Sequence, residues 1–484
     1  MSTQPTSLAP TMDVGSRELA SAIRNRDITA TEVAQRHLGR ITAHNGSLNA
    51  IVHPASDVLE RAAAADAALE RGEQVGPLHG VPFTVKDTVA VAGLPATAGS
   101  AALAEYIPEL TAPVVQRVLD AGGILLGKTN CSEFAVDTHA GNLLFGDTRN
   151  PLDTTRTPGG SSGGDSAAVC SGMASFGIGT DLGGSIRWPA HCTGTVSFRP
   201  TVGRLPGTGT LPYDTSVPVG PPNSGSFLHR YMTFGPIART VADVELLADV
   251  MAGPDRHDPN AVPVRVPSSR DVELGALRVA WCDGEGTVPV RADVREAVVA
   301  AAEKLLGTVG SITQQRPPRL EEAAKLFIDM RDLEGLPEVA RIVDAASVPI
   351  TPGITSYLRS IDAKLAGMSG RHLLEENLAL TARRDAVRAA VVAFMEHWHV
   401  LLLPVASVTA PVIGTTRVTI EGRDVPWGAL GSSCRAISIL SLPVVVVPCG
   451  VGEDGMPVGV QVVGRPFHDH EALAVAAALE GSPR

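Results

Sequence analysis

Two stretches decide how this chain is read: Pro158-Gly159-Gly160-Ser161-Ser162-Gly163-Gly164, and Gly179-Thr180-Asp181-Leu182-Gly183-Gly184-Ser185-Ile186-Arg187. Between them lie the apolar runs 167–170 and 174–178, so the order is glycine-rich turn, helix-like run, strand-like run, glycine-rich turn. That order predicts backbone held at both turns by packed α/β elements. Two floppy Gly/Ser linkers are the alternative an isolated tract would suggest. Consecutive glycines before a serine let main-chain N–H groups converge on one point, because glycine adopts positive φ and allows close approach to the backbone. Such a loop suits an oxyanion. A phosphate is disfavoured, since neither stretch has GxxxxGK[ST] or GxGxxG spacing.

Working outward, residues 81–85 read as a strand, 113–121 as a helix closed by Gly122-Gly123, and 124–126 as a further strand, which predicts α/β layering with a partly parallel sheet. Residues 14–44 and 54–71 have helical apolar spacing and read as an N-terminal helical layer. Residues 201–236, rich in Pro and Gly, read as a long loop forming a substrate-side lid or wall. A helix over 241–252 follows, with Thr240 and Asp243 as a capping-box-like start and Gly253-Pro254 as its stop. Residues 277–282, a helix over 294–306 and a helical region over 371–398 read as peripheral additions. Strands at 400–403, 443–447 and 458–463 close the chain, and a last helix over 471–479 is introduced by Asp469 as its cap.

The chain has 484 residues, 44% hydrophobic and 19% charged, which provides for a sizeable core and is unlike disorder. A net charge of -11 argues against a nucleic-acid partner. No run approaches the ~18 consecutive apolar residues of a membrane span. The opening Met1-Ser2-Thr3-Gln4-Pro5-Thr6 lacks the pattern of a secretory signal, so a cytoplasmic location is expected. Cys131, Cys170, Cys192, Cys282, Cys434 and Cys449 are scattered and read as free, mostly buried thiols. There is no HExxH, and no metal or cofactor is expected.

A serine nucleophile needs a base. The usual base is a histidine, but nothing in the spacing ties His191 to Ser185. A lysine serves if desolvation makes it neutral. Lys86, at the end of the apolar run Val81-Pro82-Phe83-Thr84-Val85, meets that condition, yet a solvated strand-end lysine paired with Asp87 reads equally well. On the residues alone the base stays undecided.

Val85-Lys86-Asp87, the GGSSGG patch and Asp181-Leu182-Gly183-Gly184-Ser185-Ile186-Arg187 together resemble the amidase signature family. Gly127-Lys128-Thr129-Asn130 with Glu133, Thr148-Arg149-Asn150-Pro151, Gly235-Pro236-Ile237-Ala238-Arg239-Thr240 and Gly459-Val460-Gln461-Val462-Val463-Gly464 extend the resemblance over most of 15–253 and 400–480. It implies an α/β fold with a large mixed, mostly parallel twisted sheet covered by helices on both faces. The whole chain would be one amidase domain: a helical layer (15–75), a signature core (76–253), a divergent helical and α/β insertion (254–398) and a C-terminal part completing the core (399–484).

The resemblance also implies hydrolysis of a carbon–nitrogen amide bond through an acyl-enzyme, with Ser185 as nucleophile, Ser161 after a cis peptide as relay and Lys86 as base. Backbone N–H groups of Leu182, Gly183, Gly184 and Ser185 would hold the oxyanion, with Ser162, Asp181 and Arg187 in support. Tyr213, Phe227, Tyr231, Phe234 and Trp427 are candidates to wall the acyl pocket. The expected partner is a small-molecule amide, with a homodimer left open and no membrane. The alternative is an amide-transferring enzyme. Against its glutaminase form, the chain reads Ser438-Ile439-Leu440-Ser441-Leu442-Pro443 where those proteins commonly read Asn-Leu-Ala-Gly-Leu-Pro, and Gly431 falls where they often carry an acid.

Overall fold

Successive valines from 444 to 447 point to opposite faces of a strand, as its two-residue period requires, and here both faces are apolar because both are covered. Val445 and Val447 join one large cluster, while Val444 joins a second and Val446 a small one. Leu402 and Val279 likewise join the first cluster, whereas Leu401, Leu403 and Ala280 join the second. These residues belong to one sheet that separates two helical layers. The structure, a computed structural model, describes residues 14–213, 215, 225–265 and 267–481.

Among the described residues the sheet has eleven strands. In chain order they are β1 (Ile51–Pro54), β2 (Pro82–Lys86), β3 (Ile124–Thr129), β4 (Phe176–Asp181), β5 (Val196–Arg199) and β6 (Thr233–Ala238), then β7 (Arg278–Trp281), β8 (Ser311–Gln314), β9 (Val400–Pro404), β10 (Val444–Val451) and β11 (Pro457–Gly464). Their spatial order is β1-β3-β2-β4-β6-β5-β10-β11-β9-β7-β8. The large mixed sheet with helices on both faces is present, but parallel pairs do not dominate it. Four pairings among the described residues are parallel (β3/β2, β2/β4, β9/β7, β7/β8). Six are antiparallel. The helix–strand alternation that signals parallel pairing holds only around β2, β3 and β4 and near the far edge. At the centre, the few residues between β10 and β11 are too short for a crossover and enforce a hairpin.

The first layer holds the helices Ser16–Arg24, Ala30–Leu48, Val58–Glu70, Pro113–Asp120, Val241–Met251, Ala292–Lys304 and Asp469–Glu480; the second holds Leu320–Glu334, Gly370–His397 and Ser432–Ile439. The periodic run over 14–44 is two helices, because Thr29 and Glu32 form a capping box that starts a new one: each side chain accepts from the other's backbone N–H. Thr240 caps Val241–Met251, but Asp243 does not complete a box, since its carboxylate accepts from the Arg17 N–H at 2.9 Å instead. Asp469 is likewise not a cap. It lies inside the helix, where its buried carboxylate binds the Thr201 N–H, the Thr201 hydroxyl and Arg204.

The long loop expected over 201–236 is shorter. Phe227–Tyr231 is a helical turn capped by Ser226, and residues 233–236 belong to β6, inside the sheet. Gly235 and Pro236 look like breakers in sequence, but Gly235 faces Gly179 across the β4/β6 pairing and admits the Phe198 carbonyl where a Cβ would stand. Positions 214 and 216–224 of this stretch lie outside the described residues. Nor is the segment over 277–398 merely peripheral, since β7 and β8 extend the main sheet and the helix Leu320–Glu334 faces the site described next. Among the described residues no helix is long and apolar enough to cross a membrane.

Candidate active site

β2 and β4 run parallel and side by side, so their carboxyl ends, Lys86 and Asp181, arrive at the same edge of the sheet. Such ends, where loops leave the sheet, are the usual place for a site in α/β proteins. Both glycine-rich loops meet there. The 158–164 loop carries Ser161 after a cis Gly160–Ser161 peptide and feeds the helix Gly163–Cys170; the 182–186 loop leaves β4 and feeds the helix Arg187–Thr193. The loops are joined directly, because the Ser162 N–H donates to the Ser185 carbonyl at 3.0 Å. Ser162 Oγ also lies 3.4 Å from both the N–H and the carbonyl of Thr180. At Gly164 any side chain would collide with the backbone of Asn130, so glycine lets the helix start against the end of β3.

Lys86 is fully buried, and Nζ donates to Ser161 Oγ at 2.6 Å and to Thr180 Oγ1 at 3.0 Å. Burial pulls its pKa down to about 8, against the opposing influence of Cys131, Asp165 and Asp181. The solvated Lys86–Asp87 pair is absent: Asp87 is buried and faces Lys128, 3.6 Å away. Asp165, whose Oδ1 accepts from the Thr84 hydroxyl at 2.9 Å, is pushed up to about 7 by burial. Ser185, by contrast with Ser161, is only half-buried, and both serines line one cavity together with Thr180, Leu182 and Gly183.

Asp181 and Arg187, both fully buried, build the second loop. Burial opposes the charge on Asp181, but the Arg187 guanidinium overcomes it and holds the carboxyl well below the usual range. Asp181 Oδ1 accepts from the Gly184 N–H at 2.9 Å, and Arg187 ties the loop to Cys434 O, Ser438 and Gln461. This corrects one expectation: the Gly184 N–H points at Asp181 and is not offered to a ligand. The N–H groups of Leu182, Gly183 and Ser185 take no part in the hydrogen bonds among the described residues, and all three residues line the cavity. Gly184 serves differently, adopting φ +118° where the loop packs on Cys434.

The five aromatic residues expected to wall the pocket do not line this cavity. Phe234 is in the first core cluster; Phe227 and Tyr231 are in the second. Tyr213 bonds Tyr106 and lines a neighbouring cavity, and Trp427 donates to Asp137 Oδ1 at 3.0 Å. The stretch that carries most of them is core rather than open loop. The wall is instead Phe134, Leu211, Leu228, Phe327, Leu336 and Met232, with His229, Arg331 and Arg435 as polar members. Phe327 and Arg331 lie one turn apart on Leu320–Glu334, a helical face with no motif to announce it. His191 is buried between Val408 O and the Gly459 N–H, outside the cavity wall. The only group among the described residues with three metal-ligand atoms close together is His468, His470 and Glu471, where Arg465 already pairs with the glutamate.

The amidase family model matches residues 32–473. A glutamyl-tRNA(Gln) amidotransferase subunit from Acidothermus cellulolyticus is 33% identical over 502 residues, which cover 96% of this chain and 94% of that protein. An indoleacetamide hydrolase from Bradyrhizobium diazoefficiens is 34% identical over 467 residues, 96% of this chain and 85% of that one. Among solved structures, a bacterial aryl acylamidase of the amidase signature enzymes superposes with a TM-score of 0.83 at 26% identity, covering 98% of this chain and 97% of the other. With the match of its sequence and the agreement of its fold, this chain belongs to the amidase signature family, enzymes that act on amides.

Proposed function

We propose that the protein hydrolyses a carbon–nitrogen amide bond of a small molecule, with Ser185 as nucleophile, Ser161 as relay and Lys86 as base. The observation that carries this reading is the 2.6 Å contact between the buried Lys86 Nζ and Ser161 Oγ, beside a cavity into which Ser185 opens. Burial lowers the affinity of Lys86 for its proton, as a general base near neutrality requires. Ser185 Oγ attacks the amide carbon, its proton passes to Ser161 Oγ, and the Ser161 proton passes to Lys86 Nζ. The oxyanion is held by the N–H groups of Leu182, Gly183 and Ser185, each donor of this kind contributing about 3 kcal/mol. As the tetrahedral adduct collapses, the proton returns along the same hydroxyl to the leaving nitrogen, and the amine departs from an acyl-Ser185 ester. Water, deprotonated by the same relay, attacks the ester and releases the acid. Ser162, Asp181 and Arg187 support the two loops without touching substrate.

The second reading, transfer of the acyl group or of released ammonia, is favoured by the identity to amidotransferase subunits. The departures at Gly431 and over 438–443 favour hydrolysis. Fluorophosphonate labelling of Ser185, compared between the wild type and Lys86→Ala, tests the site; labelling that survives unchanged in the variant would sink the proposed base. Turnover of amides with and without hydroxylamine separates the readings, because a hydrolase yields mostly free acid and a transferase yields hydroxamate.

A further inference from the structure

Asp165 is a buried acid that the proposed mechanism does not use. It sits in the first turn of the helix Gly163–Cys170, just after Ser161 and Ser162, and is 0% exposed. An acid in a first turn is ordinarily satisfied by the free N–H groups of its own helix. This one reaches across to the sheet instead: Oδ1 accepts from the Thr84 hydroxyl at 2.9 Å, and Oδ2 makes no hydrogen bond among the described residues. Glycine at position 177 of β4 leaves the room, since a Cβ there would stand 2.6 Å from Asp165 Cβ and 2.8 Å from Oδ1. Thr84 and Lys86 alternate with Val85 along β2 and so share a face, which puts the carboxylate on the side of the sheet that carries the base.

The other ionisable groups around Lys86 are already answered. Asp181 is paired with Arg187 and Arg199, and Asp87 with Lys128. Burial keeps Cys131 a neutral thiol, and it keeps His53, beside Asp87, and His191, on the neighbouring helix, neutral as well. Asp165 differs: among the described residues it has no cation within ion-pairing distance, Lys86 included. Burial pushes its carboxyl up to about 7, against the nearby Thr84 and Thr129 hydroxyls and the charges of Lys86 and Lys128. It is therefore ionised in the range where Lys86 becomes neutral. A buried carboxylate is costly until a cation stands near it, and the proposed mechanism creates such a cation once in every turnover.

We infer that Asp165 is the standing counter-charge for the Lys86 ammonium, a positioning residue that acts through Lys86 and never touches substrate. This rests on the reading of Lys86 as base. When Ser185 attacks, its proton displaces the Ser161 proton onto Nζ, so a positive charge appears on the lysine and a negative one on the substrate oxygen. Asp165 neither gains nor loses a proton. It attracts the ammonium while that exists, and the attraction ends when the proton moves on to the leaving nitrogen. Distance decides the role, because attraction weakens with separation. Direct pairing would hold the lysine charged at rest, as Asp87 holds Lys128, whereas a carboxylate beyond pairing distance eases formation of the ammonium without fixing it.

The rate of fluorophosphonate labelling of Ser185, followed across the acid limb near pH 8, tests this on the full chain without knowledge of the substrate. Asp165→Asn keeps the shape and removes the charge. The ammonium then loses its attraction, Lys86 releases its proton more easily, and the limb is expected to move down by about one pH unit. The plateau should fall about threefold, since a base of lower pKa is weaker. Thr84→Val takes the hydrogen bond from Asp165, leaves it uncharged over more of the limb, and should move the limb the same way by about half a unit. A purely structural acid would change the rate without moving the limb, so an unmoved or raised limb in Asp165→Asn overturns the inference. If the urea midpoint shows that variant to be unfolded, Thr84→Val decides by the same rule. Lys86→Ala separates the two readings. A limb that persists in it sinks the base and this inference together; a limb lost there but unmoved in Asp165→Asn sinks this inference alone.

Discussion

Two lysines on neighbouring strands are equally buried and differently placed. Lys86 ends β2 and Lys128 lies in β3, one register step away, with Val85 opposite Lys128 and Lys86 opposite Thr129. Neither is exposed, and burial lowers the pKa of both. Lys128 has a carboxylate, Asp87 at 3.6 Å, whose second oxygen is held by Thr97 and the Gly99 N–H. Lys86 has two hydroxyls and, among the described residues, no carboxylate within ion-pairing distance. Burial alone therefore does not mark a base. A buried lysine beside an acid is a structural cation, whereas one beside hydroxyls is free to give up its proton.

The largest test of this contrast is exchange of each lysine for methionine. Lys86→Met is expected to lower kcat/KM by about 10³-fold, the scale of a lost general base, while the urea midpoint stays level or rises. Lys128→Met is expected to do the reverse: it strands Asp87 without its cation and costs about 3 kcal/mol of stability by urea denaturation, while fluorophosphonate still labels Ser185. A loss of labelling in Lys128→Met with a folded protein would erase the distinction.

A smaller effect is the pH profile. Burial holds the pKa of Lys86 to about 8, below the ordinary lysine value, so the neutral amine that the proposed mechanism needs is populated above that pH and lost below it. The logarithm of kcat/KM should thus fall with unit slope as pH drops below about 8. The sign for stability agrees: between about 8 and the unfolded value the unfolded chain holds one more proton, so this group adds stability as pH rises through that window. A profile flat down to pH 6 would mean that Lys86 is not the group titrating. Smallest is Thr180→Val, which removes one of the two hydroxyls at Nζ and is expected to reduce kcat/KM about fivefold, measured at saturating pH.

Much of the site was legible because its parts are local. Glycine-rich loops flanked by packed runs imply converging amides whatever the rest of the fold does, and Ser162 does bond Ser185 while Ser161 and Ser185 line one cavity. What failed were readings that depended on partners distant in sequence. Gly184 looked equivalent to Gly183, yet its N–H faces Asp181, a difference of loop curvature rather than of residue type. Residues 233–236 looked like loop because glycine and proline normally interrupt strands, and only β4 and β5 on either side make β6 a strand. Phe327, Arg331 and Arg435 were missed because a helical face has no sequence mark saying what it faces.

The family, the α/β class and the two loops are legible in residue types at short spacing, which constrain the backbone locally. Long-range packing sets the rest: Lys86 faces two hydroxyls while Asp87 turns to Lys128, β10 and β11 make the sheet mostly antiparallel, and two arginines from separate helices share the cavity with Ser185. Those outcomes depend on which distant segments pack together, and contacts across hundreds of residues leave no local period in the chain.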